Sequence, residues 1–469
     1  MSLLWSPETL AIAAGGRLPG GTATRPFGAN GVSIDSRTLR PGDLFVALEG
    51  DHRDGHAFVA DALSRGAAGA MVSRVPPGLS PDAPLVMVAD TLAALRRLGE
   101  FARARSRARV VAVTGSVGKT TTKEMLRLIL EAAAPGQVHA ARASYNNQWG
   151  VALTLAELPE DAAYAVLEMG MNHPGEIAPL ATLARPHVAV ITAIEKVHIG
   201  FLGSLEAIAD EKASLLSALQ EGGTAILPRD TPFLSRLAAR VPSGRRLLTF
   251  GTAPLSEIRL IEAEPECGAT SILAAVLGRT VRFRLGAVGR HLVLDSLAAL
   301  GAAAALGLGP EAADALTDFK ALPGRGARRA LPLPGGEALL LDESYNASQA
   351  SVRAALSVLA REPGRRIAVL GDMLELGDMA AEEHLGLAAD LAPSADLVFA
   401  CGPMMSLLFE TLPPGLRGGL AADAERLAPI VAAAIAPGDA ILVKGSLGSR
   451  MQRVVEALQA HRAVPAESG

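Results

Sequence analysis

Seven short apolar runs recur along the chain, at residues 109–113, 164–167, 188–194, 339–341, 367–370, 397–400 and 440–443, and each ends in polar or glycine-rich residues. Alanine- and leucine-rich stretches of helical character separate them. Runs that are apolar throughout, rather than at alternate positions, predict strands buried on both faces. Their alternation with helices predicts parallel sheets covered by helices. Such sheets bind ligands beyond the carboxyl ends of their strands. The residues there are Thr114-Gly115, Glu168, Glu195 to His198, Asp342-Glu343, Gly371-Asp372 and Lys444-Gly445. Packing does not call for so polar a set, so these positions are the first candidates for a site.

Three regions follow one another. Residues 1–106 begin with a helical start and continue in turn-rich strands (GVSIDSRTLRPGDLFVAL). The basic stretch RARSRARV at 103–110 leads into a new strand, and the last region begins near Pro323-Gly324. The reading is an α/β chain of three domains, 1–106, 107–322 and 323–469. That agrees with 469 residues at about 150 residues per domain.

The segment VVAVTGSVGKTTTKEML carries the most chemistry. A strand runs into Thr114-Gly115-Ser116-Val117-Gly118-Lys119-Thr120-Thr121, and a helix follows. Glycines let the backbone curl until its N–H groups converge on phosphate oxygens, and the helix N-terminus adds a favourable dipole. Lys119 can reach β- and γ-phosphates, and the Thr120 hydroxyl can ligate Mg²⁺. The usual spacing places another glycine at position 113, where this chain has Val113. Glu168 follows an apolar strand, where a carboxylate can hold a hard cation beside the phosphates. Residues 204–219 predict one helix capped by Ser204, with an apolar stripe at Leu205, Ile208, Leu215 and Leu219. Lys212 lies on that stripe. Either it snorkels to solvent, or desolvation lowers its pKa and leaves a neutral amine that can add CO₂ to form a carbamate.

Composition narrows the classes. A net charge of −4, from 44 basic and 48 acidic residues, gives no electrostatic case for nucleic-acid binding. Cys267 and Cys401 lie far apart, which is neither a disulfide framework nor a zinc pattern and suits a reducing cytoplasm. The N-terminus MSLLWSPETL lacks the order of a signal peptide. The apolar stretch 297–308 reads as a buried helix, not a membrane span. A cytoplasmic protein is expected. Lysine occurs only at Lys119, Lys123, Lys196, Lys212, Lys320 and Lys444. In a chain that uses arginine freely, lysine marks places where a compact charge or an adjustable pKa matters.

These motifs resemble the Mur ligase family along essentially the whole chain. TGSVGKTTTKEM resembles its phosphate loop in the short T-G-S-x-G-K-T-T-T form. IDSRTLRPGDLFVALEG resembles its uridine-nucleotide region, and LDESYNAS, LGDMLELG and VKGS resemble C-terminal motifs of the branch that adds D-alanyl-D-alanine. The resemblance implies an N-terminal α/β UDP-binding domain, a central parallel-sheet ATPase domain and a C-terminal Rossmann-like domain. It implies ATP and Mg²⁺ as cofactors, with Thr120, Glu168, His198 and a carbamylated Lys212 as metal ligands. UDP-N-acetylmuramoyl-tripeptide and D-alanyl-D-alanine are the implied substrates, and a monomer is expected. His291, Asp342, Tyr345 and Asn346 should surround the adenine, the ribose or the domain interface. Ser36, Arg37, Asn146, Asn147 and Lys444 should bind substrate, with the Asp54-Gly55-His56 turn near Ser36 and Arg37. Leu292 and Asp295 stand where the family commonly has asparagine, Glu343 and Ser348 depart from its usual aspartate and asparagine, and Gly200 stands where a glutamate is often found. The ligase of the third peptide residue typically carries a D-N/D-P-R motif, which the last region lacks. Folylpolyglutamate synthase lacks a region like 32–56, and a P-loop switch ATPase would not need Lys212 on an apolar helix face.

Overall fold

A computed structural model describes residues 3–17, 27–50, 53–80, 82–142 and 144–460. The first two residues of the N-terminal segment discussed above lie outside them. The strands form three sheets. In the first, β1 (Gly31–Ser33), β2 (Asp43–Val46), β3 (Gly69–Val72) and β4 (Leu85–Met87) run parallel in sequence order.

The second sheet has nine strands. They are β5 (Arg109–Thr114), β6 (Val138–Ala140), β7 (Tyr164–Glu168), β8 (Val188–Ile191), β9 (Thr224–Pro228), β10 (Arg246–Gly251), β11 (Ile258–Glu266), β12 (Ala269–Val276) and β13 (Arg279–Leu285). Their spatial order is β13-β12-β11-β10-β9-β8-β5-β7-β6. The chain leaves β5 towards β6 and β7 on one side and returns to β8 on the other. The end of β5 is therefore the reversal point at which such sheets bind ligands. Strands β11 to β13 are antiparallel, an addition that the parallel expectation did not include. Their alternating inward and outward residues, as in ATSILAAV, produce a sheet with one wet face.

The third sheet comprises β14 (Ala327–Leu333), β15 (Gly336–Glu343), β16 (Arg366–Gly371), β17 (Leu397–Cys401), β18 (Arg417–Ala421) and β19 (Ala440–Lys444). Its order is β14-β15-β19-β16-β17-β18. Only the β14 edge is antiparallel. All seven apolar runs lie in or begin strands of the second and third sheets.

The first unit does not stand apart. Helix Thr91–Arg105 has Leu95, Leu98 and Gly99 buried, and it packs on the central helix Gln148–Ala156. A Cβ at Gly99 would sit 3.0 Å from the Ala152 carbonyl oxygen. Trp5 is fully buried, donates Nε1–H to the Ala156 carbonyl at 3.0 Å, and carries the Arg105 guanidinium 4.3 Å above its ring. Arg103 donates to the carbonyls of Ala184 and Arg185. The basic stretch at 103–110 is thus a set of anchors rather than a solvated connector.

The helix expected over 204–219 is shorter. It spans Leu205–Ala213, capped by Ser204, and tightens into a 3₁₀ turn from Ser214. The Ser214 hydroxyl bonds back to the Glu211 carbonyl at 2.6 Å, which competes with helical continuation. Helix Arg290–Ala305 is buried along most of its length. Among the described residues no helix is long and apolar enough to cross a membrane.

Candidate active site

The phosphate loop leaves β5 at Thr114, which is fully buried and donates its hydroxyl to the Met169 carbonyl. Two glycines set its path. Gly115 has φ +149°, and a Cβ there would lie 1.9 Å from Thr192 Oγ1. Gly118 has φ +83°, caps the helix Lys119–Ala133, and faces Asp295 so closely that a Cβ would lie 2.2 Å from its Oδ1. Ser116 pins the loop to the segment after β8: its N–H donates to the Ala193 carbonyl, and its hydroxyl exchanges bonds with the backbone of Glu195. Lys119 folds back, donating Nζ to the carbonyls of Gly115 at 2.8 Å and Ser116 at 3.3 Å. Burial pulls its pKa down to about 8, with Glu168 opposing that shift and Arg325 adding to it.

Glu168 is 1% exposed and ends β7 beside the loop. Its Oε2 accepts from the Thr120 hydroxyl and its Oε1 from Asn146 Nδ2, both at 2.8 Å. Lys123 Nζ lies 3.9 Å from Oε2. The Thr120 hydroxyl and the Glu168 carboxylate are therefore adjacent hard oxygen donors, the type Mg²⁺ requires. His198, with φ +60°, precedes the short helix Ile199–Leu202, and its Nδ1 lies against the carboxylate of Glu375 from the third unit. Lys212 is 2% exposed, and no described residue pairs with its amine. Burial, with the Lys119 charge behind it, pushes its pKa well below the ordinary lysine value.

A cavity of about 660 Å³ opens between the central and third sheets. Its walls include Ser116, Gly118, Lys119, Thr121, Asn146, Glu168 and His198 from the central unit. His291, Asp295, Tyr345, Asn346 and Lys444 also line it, whereas Thr114, Gly115, Thr120 and Lys212 stand behind this lining. Desolvation at the cavity wall lowers the pKa of His291, whose side chain keeps 35% of its surface exposed. Lys444, at the end of β19, donates Nζ to the Asn346 carbonyl at 2.9 Å and to Glu343 at 3.3 Å. Asp295, which faces Gly118, has its carboxyl pKa raised well above the ordinary value by burial, with the Arg325 charge opposing that rise.

Several expected residues have structural tasks. Asp342 is buried outside the cavity lining and accepts from the N–H and hydroxyl of Ser344. Asn147 caps helix Gln148–Ala156 through Gly150 N–H. Ser348, where the family usually has asparagine, forms a capping box with Ser351. Ser36 and Arg37 lie in the first unit and do not line this cavity. The Arg37 fork is already held by Asp35 through Nε and Nη2, so a diphosphate would have to displace that carboxylate. His56 is buried between Asp54, which accepts from its Nδ1 at 2.7 Å, and the Ser73 N–H, which donates to its Nε2.

Arg325 escaped the sequence reading. It lies in the turn joining the central and third units, stacks 4.0 Å over the Tyr345 ring and donates to Ser144 Oγ. The glycines on either side of it, at 324 and 326, both have positive φ, and that flanking was the available signal.

A cavity with a phosphate loop on one wall and a separate α/β sheet on the other defines a nucleotide-dependent enzyme that works between two units. Residues 29–103, 113–303 and 334–447 match, in turn, the catalytic domain, the middle domain and the glutamate ligase domain of Mur ligases. A UDP-N-acetylmuramoyl-tripeptide–D-alanyl-D-alanine ligase of Bacillus subtilis is 33% identical over 92% of this chain and 93% of its own length. A MurF crystal structure from Acinetobacter baumannii superposes with a TM-score of 0.84 at 31% identity, covering 97% of this chain and 99% of that one. MurF from Thermotoga maritima in complex with ADP gives 0.77 at 28% identity, over 92% and 97% of the two chains. The chain belongs to the Mur ligase family.

Proposed function

We propose that this chain uses ATP to join D-alanyl-D-alanine to UDP-N-acetylmuramoyl-tripeptide. The observation that carries the reading is the shared cavity, in which Lys119 and Glu168 of the central unit face Tyr345, Asn346 and Lys444 of the third. In the first step the terminal carboxylate of the tripeptide attacks the γ-phosphorus of ATP, ADP leaves, and an acyl phosphate forms. The amine of D-alanyl-D-alanine then attacks the acyl carbon. The tetrahedral intermediate collapses with loss of phosphate, and the amine proton passes to solvent.

Positioning and charge stabilisation carry such a transfer. The N–H groups at the loop and Lys119 hold the polyphosphate, Arg325 neutralises charge from the opposite side, and the Tyr345 and Asn346 wall receives the base. Asn146 and Lys444 orient the substrates. Mg²⁺, when bound, would supply neutralisation of the carboxylate and phosphate charges: Thr120 would hold one ion at the phosphate loop, and Glu168, His198 and carbamylated Lys212 would hold a second. The unpartnered, desolvated amine of Lys212 supports the carbamate: amine and CO₂ combine and one proton is released. In the domain assignment proposed with this reaction, residues 1–106 bind the UDP moiety, 107–322 bind ATP and 323–469 bind the dipeptide.

The test is a ligation assay with ATP and both substrates, read by mass spectrometry of the nucleotide product and by ADP release. Product should contain both alanines, and ADP release should depend on the dipeptide. ADP release indifferent to D-alanyl-D-alanine would overturn the assignment.

A further inference from the structure

The third unit reaches the proposed metal centre at one side chain. The segment LGDMLELG leaves β16 and brings Glu375 against His198. Both residues have left-handed backbones, with φ +60° at His198 and +66° at Glu375. Non-glycine residues hold such a conformation only where the surroundings over-determine it. Here the surroundings are each other. Gly200 N–H donates to the Glu375 carbonyl at 3.0 Å, and a Cβ on Gly200 would lie 2.9 Å from the Gly377 nitrogen. Nearby, Lys196 Nζ meets Glu383 at 2.7 Å, an ion pair across the same boundary.

The ring geometry gives the contact a chemical consequence. The Glu375 carboxylate lies against Nδ1 of His198 but off the line of its N–H, which has no aligned acceptor, and among the described residues nothing pairs with Nε2, while the ring lines the cavity. An imidazole that donates Nδ1–H to a carboxylate keeps its Nε2 lone pair for a metal and is fixed in orientation. A small turn of the Glu375 carboxylate onto that N–H would prepare a histidine of one unit by a carboxylate of another.

We infer that Glu375 is a positioning residue that links closure of the third unit over the central unit to the readiness of His198 to take a divalent cation. This rests on the proposed function, through the place of His198 among the metal-holding residues. Closure and metal affinity are then reciprocal: whatever brings Glu375 to His198 tightens the site, and a cation in the site favours the closed arrangement.

The experiment uses the full chain with a non-hydrolysable ATP analogue. Mn²⁺ is titrated and followed by electron paramagnetic resonance, and closure is read separately as the radius of gyration from X-ray scattering. The parent should bind two Mn²⁺ ions and contract as the second binds. Glu375→Ala should weaken the second Mn²⁺ by about tenfold or more, the range typical of a lost outer-shell partner, and should contract less. Glu375→Gln, whose amide oxygen still accepts from Nδ1–H, should recover most of that affinity. His198→Ala should lose the second Mn²⁺ altogether. Analogue binding and thermal melting report whether each variant is folded. A folded Glu375→Ala that takes the second Mn²⁺ as tightly as the parent overturns the inference even if its scattering changes, because Glu375 is then a latch alone. A His198→Ala that keeps the second Mn²⁺ overturns the assignment of His198 as a ligand, and the coupling with it.

Discussion

Lys212 shows how much one side chain can state in a sequence and what the structure adds. Its position four residues after Ile208 put it on an apolar stripe, and the structure buries it with no partner for its amine among the described residues. A guanidinium is never a neutral nucleophile at physiological pH, so Lys212→Arg should lose ligation by orders of magnitude despite keeping the charge. Lys212→Ala should also lose it but regain part of the rate with bicarbonate or a short carboxylic acid. A Lys212→Arg rate equal to the parent's would count against the carbamate. Among the described residues Lys119 bonds only to loop carbonyls, so Lys119→Ala should abolish turnover while leaving the circular dichroism spectrum and melting temperature near those of the parent. These residues were legible because local pattern exposes them. Arg325 and Glu375 were not, because their neighbours, Tyr345 in one case and His198 in the other, are remote in sequence or belong to another unit. An arginine among many arginines carries no mark until it is seen over a ring.

At the scale of elements, continuous apolar runs identified strands of the central and third sheets well, since burial on both faces leaves no room for alternation. The antiparallel β11–β13 was missed for the converse reason. Its outward residues are charged (IRLIEAEPE, RTVRFRL), and a half-wet strand does not stand out as an apolar run. The 204–219 stretch was read as one helix because its apolar stripe continues past Ser214, where the backbone changes to a tighter turn without losing Leu215 and Leu219 from the core. Helix Thr91–Arg105 was assigned to the first region by its place in the chain, yet it packs on the central helix. Gly99 sets that approach. Gly99→Val should wedge the two helices apart and destabilise the protein by about 1–3 kcal/mol, as overpacking generally does. Leu98→Ala should cost about 2–5 kcal/mol through an unfilled cavity. Both values can be read from urea melts. A Gly99→Val protein with an unchanged midpoint would mean that the helices do not meet there.

Across the whole molecule, the first and central units also meet at a buried carboxyl. Glu157, at the end of the helix Gln148–Ala156, faces the first sheet, with Oε1 3.8 Å from the Cβ position of Gly31 and 3.1 Å from Arg142 Nη2. Burial pushes its pKa from the ordinary 4.5 up to about 7, with Arg142 opposing and Asp43 adding to the rise. The folded state therefore holds this proton more tightly than the unfolded chain. The associated stability is complete below pH 4.5 and is lost as pH rises through about 7. It amounts to about 2 kcal/mol after allowance for solvent screening. Glu157→Gln should flatten that part of the stability–pH curve, and an unchanged curve would remove Glu157 from the account. Such a pairing of units could not be read along the chain, since Asp43 and Glu157 acquire meaning only when the sheets meet.

The order of the third sheet carries a consequence of its own. Strand β19 is last in the chain but central in the sheet, inserted between β15 and β16, and it delivers Lys444 and the following residues to the cavity wall. A polypeptide emerging from the ribosome thus holds its phosphate loop long before it holds a pocket. Until the strand at 440–444 is released, two halves of a sheet wait with a gap between them, and a nucleotide meets only the loop side of the cavity. Translation that stops short yields no feeble enzyme to compete for precursor, only a chain with an open seam for the cell's proteases.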